Sequence, residues 1–361
     1  MDPLTHAASG AVAMLACPRR PLTAWAVPLA ALAAAAPDID IIFAYTPLDF
    51  LLLHRGITHS LAAVPLFGLL LAVLFWPLWR AGLTWRWSLG RVWLFGCLML
   101  LLHIWLDVIT TYGTMIFLPF SHERVRLNGV FIIDLLLTVP LLWAVWRWRA
   151  RQGLLLLTLA WIVAYPAAAI ALNHWHTGQN EARLTSLGRQ VTDVTVLPDA
   201  FSPFYWRLLY AETVPEGRNI CEQSLNAMGQ PRGPVMSHTA ARPEAVAGLS
   251  AQSVMAKAFF DFTLLPVQSP LPLRDAPRHK AEKTELRLYY DLRFGSGLAW
   301  VRWLMQQRPN ADIPFQFMTA SEEGRLTQVR MRFSDSGRDS GWQLPRKPTQ
   351  PGWGQWLAGL Y

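Results

Sequence analysis

The sequence predicts two different domains in one chain: an all-α polytopic membrane domain of about four to six helices, some short, in residues 1–173, and a soluble α+β or mainly β domain in residues 174–361. Three observations predict this division. Leu, Ala, Val, Ile and Trp dominate the first part, whereas the second is polar and rich in Arg and Pro. Arginines flank the apolar runs in short loops, and alternating polar and apolar residues follow later. Such a shift separates a membrane region from a soluble one.

The net charge of +8 is interpreted as a membrane-topology signal. Short loops rich in Arg are typical of the cytoplasmic side of a membrane rather than of a phosphate-binding stripe, so no nucleic-acid partner is expected. The three cysteines are far apart and predict neither a zinc knuckle nor a disulfide framework. The first residues lack the basic stretch of a signal peptide, so we expect the mature protein to keep His6. The loop arginines are Arg19, Arg20, Arg80, Arg86, Arg91, Arg147, Arg149 and Arg151.

Two short apolar segments, 4–17 and 22–36, begin the membrane domain. As helices each spans roughly 21 to 23 Å, which is short for a hydrocarbon core of about 30 Å. Pro37-Asp38-Ile39-Asp40 ends the second segment, and residues 41–53 continue apolar. Four stronger candidates for spanning helices follow, each near the length that a crossing requires. They are residues 61–79, 92–111, 130–146 and 154–172.

The arginine-rich loops 80–91 and 147–151 predict the orientation of the membrane domain, because such loops are expected in the cytoplasm. The polar residues between the helices then fall together on the non-cytoplasmic side. They are His6, Asp38, Asp40, His54, His59, the far end of the 92–111 helix and the loop 112–129. The soluble domain, which begins at Asn173-His174-Trp175-His176, is predicted on the same side.

Alternation in the second domain predicts half-buried strands at 285–293 and 326–333. Clusters of Pro and Gly around 229–234 and 266–277 predict loops or linkers. These patterns favour an accessory domain of α+β or mainly β structure.

His103 and Asp107 are four residues apart in an apolar helix, so their side chains share one face. A nitrogen and a carboxylate oxygen placed in this way suit zinc, manganese or iron, and ionisable residues at membrane depth are expensive unless they are used. Asp38 and Asp40 follow a helix break at Pro37. A cap or turn explains one of them, and ligation of a metal remains open for at least one.

His54 and His59 are five residues apart with Gly56 between them, which predicts a turn that enters a helix. Thr58 or Ser60 can cap that helix. Arg55 is expected either to hold an anionic substrate oxygen or to pair with one of the preceding aspartates.

Asp134 is a lone acid near the outer end of the 130–146 helix, and it can serve as a ligand, as a partner that orients a ligating His, or as a general base. Arg124 and Arg126 precede it and can neutralise phosphate or balance the carboxylates. His122-Glu123 is not a zincin motif, because position 126 is Arg. The sequence contains no Gly-x-Ser-x-Gly elbow and no Walker loop, so serine-hydrolase and nucleotide-driven chemistry have no support.

These residues together resemble the integral-membrane, metal-dependent hydrolases of the YdjM and YfhP type. The resemblance covers roughly residues 1–140, and its most specific part is His-Arg-Gly-x-Thr-His-Ser. The matching motifs are Met1-Asp2-x-x-Thr5-His6, Pro37-Asp38-Ile39-Asp40, His54-Arg55-Gly56-Ile57-Thr58-His59-Ser60, His103-x-x-x-Asp107, Tyr112-Gly113-Thr114, Leu118-Pro119-Phe120-Ser121 and Phe131-Ile132-Ile133-Asp134. The order of ligands is also loosely similar to that of zinc-dependent phospholipases C, whose final His and His-xxx-Glu ligands have no obvious counterpart here, so one or two ions are expected.

The resemblance implies a membrane-bound hydrolase of the bacterial inner membrane that uses a metal-activated water, plausibly on a phosphoester or another ester of a lipid or envelope substrate. Zinc is the expected ion, with manganese or iron as alternatives, and membrane lipids and a small-molecule or lipid substrate are the expected partners. Two other classes stay open: a metal or proton transporter, and a non-catalytic protein with a structural metal site. The predicted ligands are His6, Asp38, His54, His59, His103 and Asp107, and the predicted catalytic residues are Asp40, Arg55, Asp134 and Arg124.

Overall fold

In a computed structural model, the described residues are 1–80, 87–215, 217–278, 283–307, 315–333 and 337–348. They form two compact units. The first, called the helical unit, contains Met1–Ile42 and Arg55–Asn173. The second, called the sheet unit, contains Phe43–His54 and the described residues from His174 onwards. Arg86, one of the predicted topology residues, lies outside the described residues.

Within the described residues, seven α-helices precede the sheets. In chain order they are α1 (Pro3–Ala16), α2 (Ala26–Ala35), α3 (Pro47–Leu53), α4 (Val64–Arg80), α5 (Leu89–Val108), α6 (Leu135–Arg147) and α7 (Gln152–Ser186), with 3-10 helices at Ala36–Phe43 and Ile57–His59. Among the described residues, three segments are long and apolar enough to cross a membrane: Ala26–Phe43, Leu89–Val108 and Gln152–Ser186. The pair Pro47–His59 and Val64–Trp79 makes a fourth if it is counted as one span.

Three predicted segments differ from the observed helices. Residues 22–36 are predicted to be too short to span, but the apolar segment continues as a 3-10 helix to Phe43. The predicted spanning helix 130–146 begins only at Leu135, because the Asp134 carboxylate caps it by accepting from Leu137 N at 3.0 Å. The resulting helix is shorter than a full span. The predicted helix 154–172 instead continues as α7 to Ser186.

Small residues bring the helices of the helical unit close together. A side chain at Gly10 on α1 would overlap the Ala30 carbonyl on α2, and a side chain at Gly68 on α4 would overlap Cys97 on α5. Close backbone approach of this kind is typical of helix packing in membranes, where small residues replace the hydrophobic driving force. The buried core around these contacts includes Met14, Ala34 and Leu100. Helix α2 also packs against α5, and both helices carry ligand-type residues or their partners.

The sheet unit contains two antiparallel sheets. The first has the order β1-β2-β3-β4: β1 (Val191–Pro198), β2 (Tyr205–Val214), β3 (Gly217–Asn226) and β4 (Pro231–Thr239). The second has the order β5-β6-β7-β8-β9: β5 (Pro266–Pro270), β6 (Glu285–Asp291), β7 (Phe315–Glu322), β8 (Arg325–Phe333) and β9 (Arg338–Asp339). Helices α8 (Pro243–Gln252) and α9 (Val254–Phe262) connect the sheets, and α10 (Ala299–Gln306) lies between β6 and β7 in the chain.

Aromatic and aliphatic side chains form the core of the sheet unit. Phe259 on α9 stacks on Phe317 of β7 with ring centres 5.4 Å apart. Leu209, Val267 and Met318 are buried in one shared core. The short helix α3 belongs to this unit, and its Phe50 ring contacts Phe333 of β8. The strands predicted at 285–293 and 326–333 are observed as β6 and β8, although the last residues of each strand are buried on both faces.

Two predicted loops in the sheet unit are partly wrong. Residues 231–234 begin β4, and residues 266–270 form β5, although both stretches contain prolines. Each strand lies at the edge of its sheet. An edge strand tolerates Pro, because one side of its backbone has no hydrogen-bonding partner to lose. The predicted change along the chain from a helical to an α+β region is confirmed.

Candidate metal centre

Four ligand-type side chains from three elements meet inside the helical unit. Asp38 comes from the 3-10 helix after α2, His59 from the short 3-10 helix before α4, and His103 and Asp107 from α5. One atom of each lies within 4.8 Å of all the others. His59, His103 and Asp107 have no exposed side-chain surface, whereas Asp38 is 16% exposed. Asp38 is therefore the side of the cluster that solvent reaches.

The distances within this cluster are close to those of a metal coordination sphere. The Nε2 atoms of His59 and His103 are 3.0 Å apart. Asp107 Oδ2 lies 3.2 Å from His59 Nε2 and 3.4 Å from His103 Nε2. Asp38 Oδ1 lies 3.5 and 3.6 Å from the same two nitrogens. Tetrahedral zinc with ligand bonds of about 2.0–2.2 Å requires ligand atoms about 3.3–3.6 Å apart.

The second ring nitrogen of each histidine lies against an acceptor, which fixes the nitrogen that faces the cluster. His103 Nδ1 lies 2.7 Å from the Ala34 carbonyl oxygen, which only accepts hydrogen bonds, so Nδ1 carries the hydrogen. His59 Nδ1 lies 3.3 Å from Asp40 Oδ2. With both Nδ1 atoms donating, the two Nε2 atoms of neutral rings present lone pairs. Two imidazole lone pairs and two carboxylate oxygens then converge, and a cation satisfies such an arrangement.

Local backbone geometry delivers His59 to the cluster. Arg55 adopts a left-handed conformation with φ of +58°, and the chain then enters the 3-10 helix, where His59 N donates to the Gly56 carbonyl at 2.9 Å. Asp40 fixes this turn, because its Oδ2 accepts from Arg55 N and from Thr58 Oγ1, each at 3.0 Å. Ser60 Oγ accepts from Ala63 N at 3.2 Å, as a cap at the start of the following helix does.

Asp107 is shared between the cluster and a group of cations. Its Oδ1 lies 2.9 Å from Arg55 Nη2 and also contacts the N-terminal amino group of Met1. Arg55 is buried, and its Nη1 donates to the Asp107 carbonyl and to Thr110 Oγ1 at 3.3 and 3.1 Å. The sequence suggested pairing of Arg55 with Asp38 or Asp40, whereas its guanidinium pairs with Asp107.

The predicted ligand His6 lies beside the cluster rather than among the four converging atoms. Its ring stacks on His103 with centres 3.7 Å apart, and its Nε2 lies 3.2 Å from Asp107 Oδ1. His6 is fully buried, and among the described residues neither ring nitrogen makes a hydrogen bond. Its Nε2 lies close enough to the carboxylate of Asp107 to enlarge the ligand set.

Three other predicted site residues make further contacts. His54 ends α3 in the sheet unit, where its ring contacts Phe50. Asp134 caps α6, and its Oδ2 accepts from Tyr165 Oη at 2.8 Å. Arg124 is half-buried, donates to the Gly113 carbonyl at 3.3 Å and lies over the Tyr112 ring. The roles predicted for these residues stay predictions.

Sequence reasoning missed two groups that orient the cluster. The Ala34 carbonyl accepts from His103, and no residue pattern announces a backbone acceptor on another helix. Thr110 contacts Arg55 and donates to the Asp107 carbonyl at 2.7 Å. The sequence signal available for this contact was the position of the Thr110 hydroxyl three residues after Asp107.

The residues present fit a divalent metal ion. The donor set is two imidazole nitrogens and two carboxylate oxygens, which suits zinc, manganese or iron. The separations approach those of a coordination sphere, and the second nitrogen of each His is held by an acceptor, as metal-ligating histidines usually are. Asp38, Asp40 and Asp107, set against Arg55 and the N-terminal amino group, leave an excess of negative charge in a buried place, which favours a cation.

Apolar helices that enclose this cluster define the class of protein: a membrane protein with a candidate metal centre. A sequence model of the family described as YdjM inner membrane protein matches residues 1–176. The N-terminal part of the chain is therefore similar to the YdjM inner membrane protein family, and the resemblance seen in the motifs is confirmed. Family and apolar helices together support an inner membrane protein.

The chain is also similar to the uncharacterized protein YfhP of Bacillus subtilis (strain 168), with 31% identity over 132 residues. That match covers 36% of this chain and 39% of YfhP, so it spans about two fifths of the length of this curated relative. No solved structure matches the chain.

Proposed function

We propose that the protein is a membrane-bound, metal-dependent hydrolase that cleaves an ester, and in particular a phosphoester, of a lipid or envelope component. The observation that carries the proposal is the convergence of four potential ligand atoms, from Asp38, His59, His103 and Asp107, in a largely buried place, where Asp107 Oδ2 has no hydrogen-bond donor among the described residues. Such a donor set suits a divalent cation.

Asp38, His59, His103 and Asp107 hold the metal in this proposal, with His6 as an additional nitrogen beside Asp107. Zinc is the proposed ion, since two imidazoles and two carboxylates suit it, and manganese or iron accept the same donors. When bound, the ion supplies Lewis-acid chemistry and activates water for attack on the ester.

The surrounding residues of the chain then have separate tasks. Asp40 orients His59 through its Nδ1 and holds the turn through Arg55 N and Thr58. This positioning role differs from the catalytic role predicted for Asp40 from the sequence. Arg55 balances Asp107 and keeps its second oxygen directed at the histidines. A buried carboxylate with such a partner keeps one geometry, which a preformed site requires.

Two arginines favour an anionic substrate. The guanidinium carbons of Arg55 and Arg124 lie 4.8 and 5.9 Å from the centre of the Tyr112 ring. Arg55 belongs to the cluster through Asp107, so Arg124 lies one aromatic ring away from it. Arg124 is only half-buried and is the proposed group that meets a phosphate oxygen. The arginine-rich loops place this substrate on the non-cytoplasmic side in the proposal.

The burial of the cluster favours a second candidate, a structural metal site. Four protein ligands are typical of structural zinc, whereas catalytic zinc keeps one position open. Asp38, with its 16% exposure, is the side chain that distinguishes the two cases. A catalytic site would need Asp38 to leave room for water or substrate, whereas a structural site would use all four residues to hold the short helices together.

The test is to purify the protein in detergent, measure bound metal by mass spectrometry, and assay hydrolysis of bis(p-nitrophenyl) phosphate and p-nitrophenyl phosphate. His103→Ala is expected to lose both metal and activity. His174→Ala is the matched control, because this histidine is exposed on α7 and is expected to leave both unchanged. A metal-free, inactive wild type overturns the proposal.

Two further outcomes separate the rival classes. Bound metal that supports thermal stability in an inactive protein assigns the structural role. Uptake of zinc into proteoliposomes that depends on His103 and Asp107 assigns a transporter, the class in which intramembrane His and Asp form an ion pathway.

A further inference from the structure

One helix of the sheet unit exposes its apolar face. On α10, Trp300, Trp303 and Leu304 are 52%, 61% and 50% exposed. Their spacing places them on one face of the helix. Arg302, the basic residue of the helix, is half-buried and its Nη1 lies 3.5 Å from Met236 Sδ. In a soluble domain, the charged residue of a surface helix faces water and the apolar face packs on the core, so α10 has the reverse arrangement.

A neighbouring loop extends this surface. Phe201, in the turn before β2, is 43% exposed, and its ring centre lies 5.7 Å from that of Trp300. We call Phe201, Trp300, Trp303 and Leu304 the tryptophan patch. With about 200 Å² for a fully exposed aromatic side chain, the patch offers about 400 Å² of apolar surface, a size that is often functional on a monomer.

The size and composition of the patch favour lipid over protein as the occupant. A stable protein interface buries about 800 Å² on each partner, which is about twice the patch. Tryptophan side chains are enriched at the membrane–water interface, where the ring contacts lipid and the indole N–H meets the headgroups. A helix of eight residues is too short to cross a bilayer but can lie along its surface.

We propose that the tryptophan patch inserts into the lipid headgroup region of the membrane in which the protein resides. A membrane is the expected neighbour of this chain, since residues 1–176 match the model of an inner membrane protein family and the helical unit has apolar helices long enough to span. The proposal does not depend on metal binding or on hydrolysis. It predicts that the sheet unit is held against the bilayer through α10.

The test uses the full chain in nanodiscs of phosphatidylethanolamine and phosphatidylglycerol. The native cysteines Cys17, Cys97 and Cys221 are replaced, and a single cysteine at position 303 receives a nitroxide label. Leu344 is the matched control position, because its side chain is apolar and 76% exposed but lies outside the patch. Power-saturation spectroscopy then compares the accessibility of each label to oxygen and to a water-soluble nickel chelate.

The expected result is that the label at position 303 is several-fold more accessible to oxygen than to nickel, while the label at Leu344 shows the opposite order. Equal nickel accessibility at both positions overturns the proposal. A label at 303 that is protected from both reagents also overturns it, because protein rather than lipid then covers the patch. A double variant, Trp300→Ser with Trp303→Ser, labelled at position 304, is expected to lose the oxygen preference.

Discussion

Replacing Asp40 with Asn tests how the candidate metal centre is held in shape. The Asp40 carboxylate lies 3.3 Å from His59 Nδ1 and accepts from Arg55 N and Thr58 Oγ1. Asn keeps the volume and one acceptor oxygen, but it removes the negative charge that holds the His59 ring with Nε2 directed into the cluster. The loss of such a partner lowers metal affinity about 10- to 100-fold. This factor corresponds to about 1.4–2.7 kcal/mol of binding free energy.

The assay is competition for zinc between the purified protein and a chromophoric chelator, together with thermal unfolding of the metal-free protein. The metal-free unfolding temperature is expected to change little in Asp40→Asn, because the turn keeps its acceptor. Asp40→Ala is expected to lower the metal-free unfolding temperature in addition to the zinc affinity, since a buried Arg55 N–H without an acceptor costs about 1–3 kcal/mol. Asp49→Asn is the matched control, because Asp49 caps α3 near the surface.

Two results would refute this reasoning. If Asp40→Asn binds zinc as tightly as the wild type, the carboxylate does not orient His59. If Asp49→Asn weakens binding equally, the effect is a general loss of structure and not a property of the partner of His59.

Three further predictions concern packing, buried charge and pH. Gly10→Ala is expected to lower the thermal unfolding temperature in detergent by several degrees, because the added methyl group meets the backbone of α2, whereas Gly90→Ala on open helix surface is expected to be neutral or stabilising. Arg207→Met breaks a buried ion pair with Glu222, in which the charged atoms are 2.9 Å apart, and is expected to lower the free energy of unfolding in urea by about 3–5 kcal/mol. Adding Glu222→Leu is expected to restore part of this free energy. If the effects of the two changes are fully additive, the pairing is contradicted. Burial lowers the pKa of His238 despite the opposing charge of Glu222. The unfolded chain then binds the proton first, so stability is expected to fall as the pH drops below about 6.5, and His238→Gln should reduce this dependence in melts at pH 5 and 7.5.

The position of Asp107 gives the site a preformed geometry. One of its oxygens is fixed by Arg55 and the other faces the two histidines, so the carboxylate cannot rotate without losing both sets of contacts. His103 is fixed in the same way by the Ala34 carbonyl. A site held by its own chain before the metal arrives suits selective binding, because no reorganisation of the ligands is needed.

How much could be predicted from the sequence is clearest at particular residues. The i,i+4 spacing of His103 and Asp107 was sufficient to place them on one face of α5, since helical geometry alone decides it. The motifs around Asp38 and His59 indicated that these residues are ligands, but not which groups orient them. The different roles of Asp38 and Asp40 could not be predicted, although the two residues are only two positions apart. Asp38 faces the cluster, whereas Asp40 contacts the Nδ1 side of His59, because the chain forms a 3-10 helix there.

The sequence by itself determined the helical region, its apolar segments, the α+β region that follows and the residue types of a metal centre, because hydropathy and helical spacing are local properties of the chain. Only the tertiary structure decided which of these residues converge. Asp38, His59 and the pair on α5 are far apart in the chain, and they meet because α2 and α4 both pack against α5. Distances between elements depend on packing in three dimensions, and no periodicity in the sequence records them.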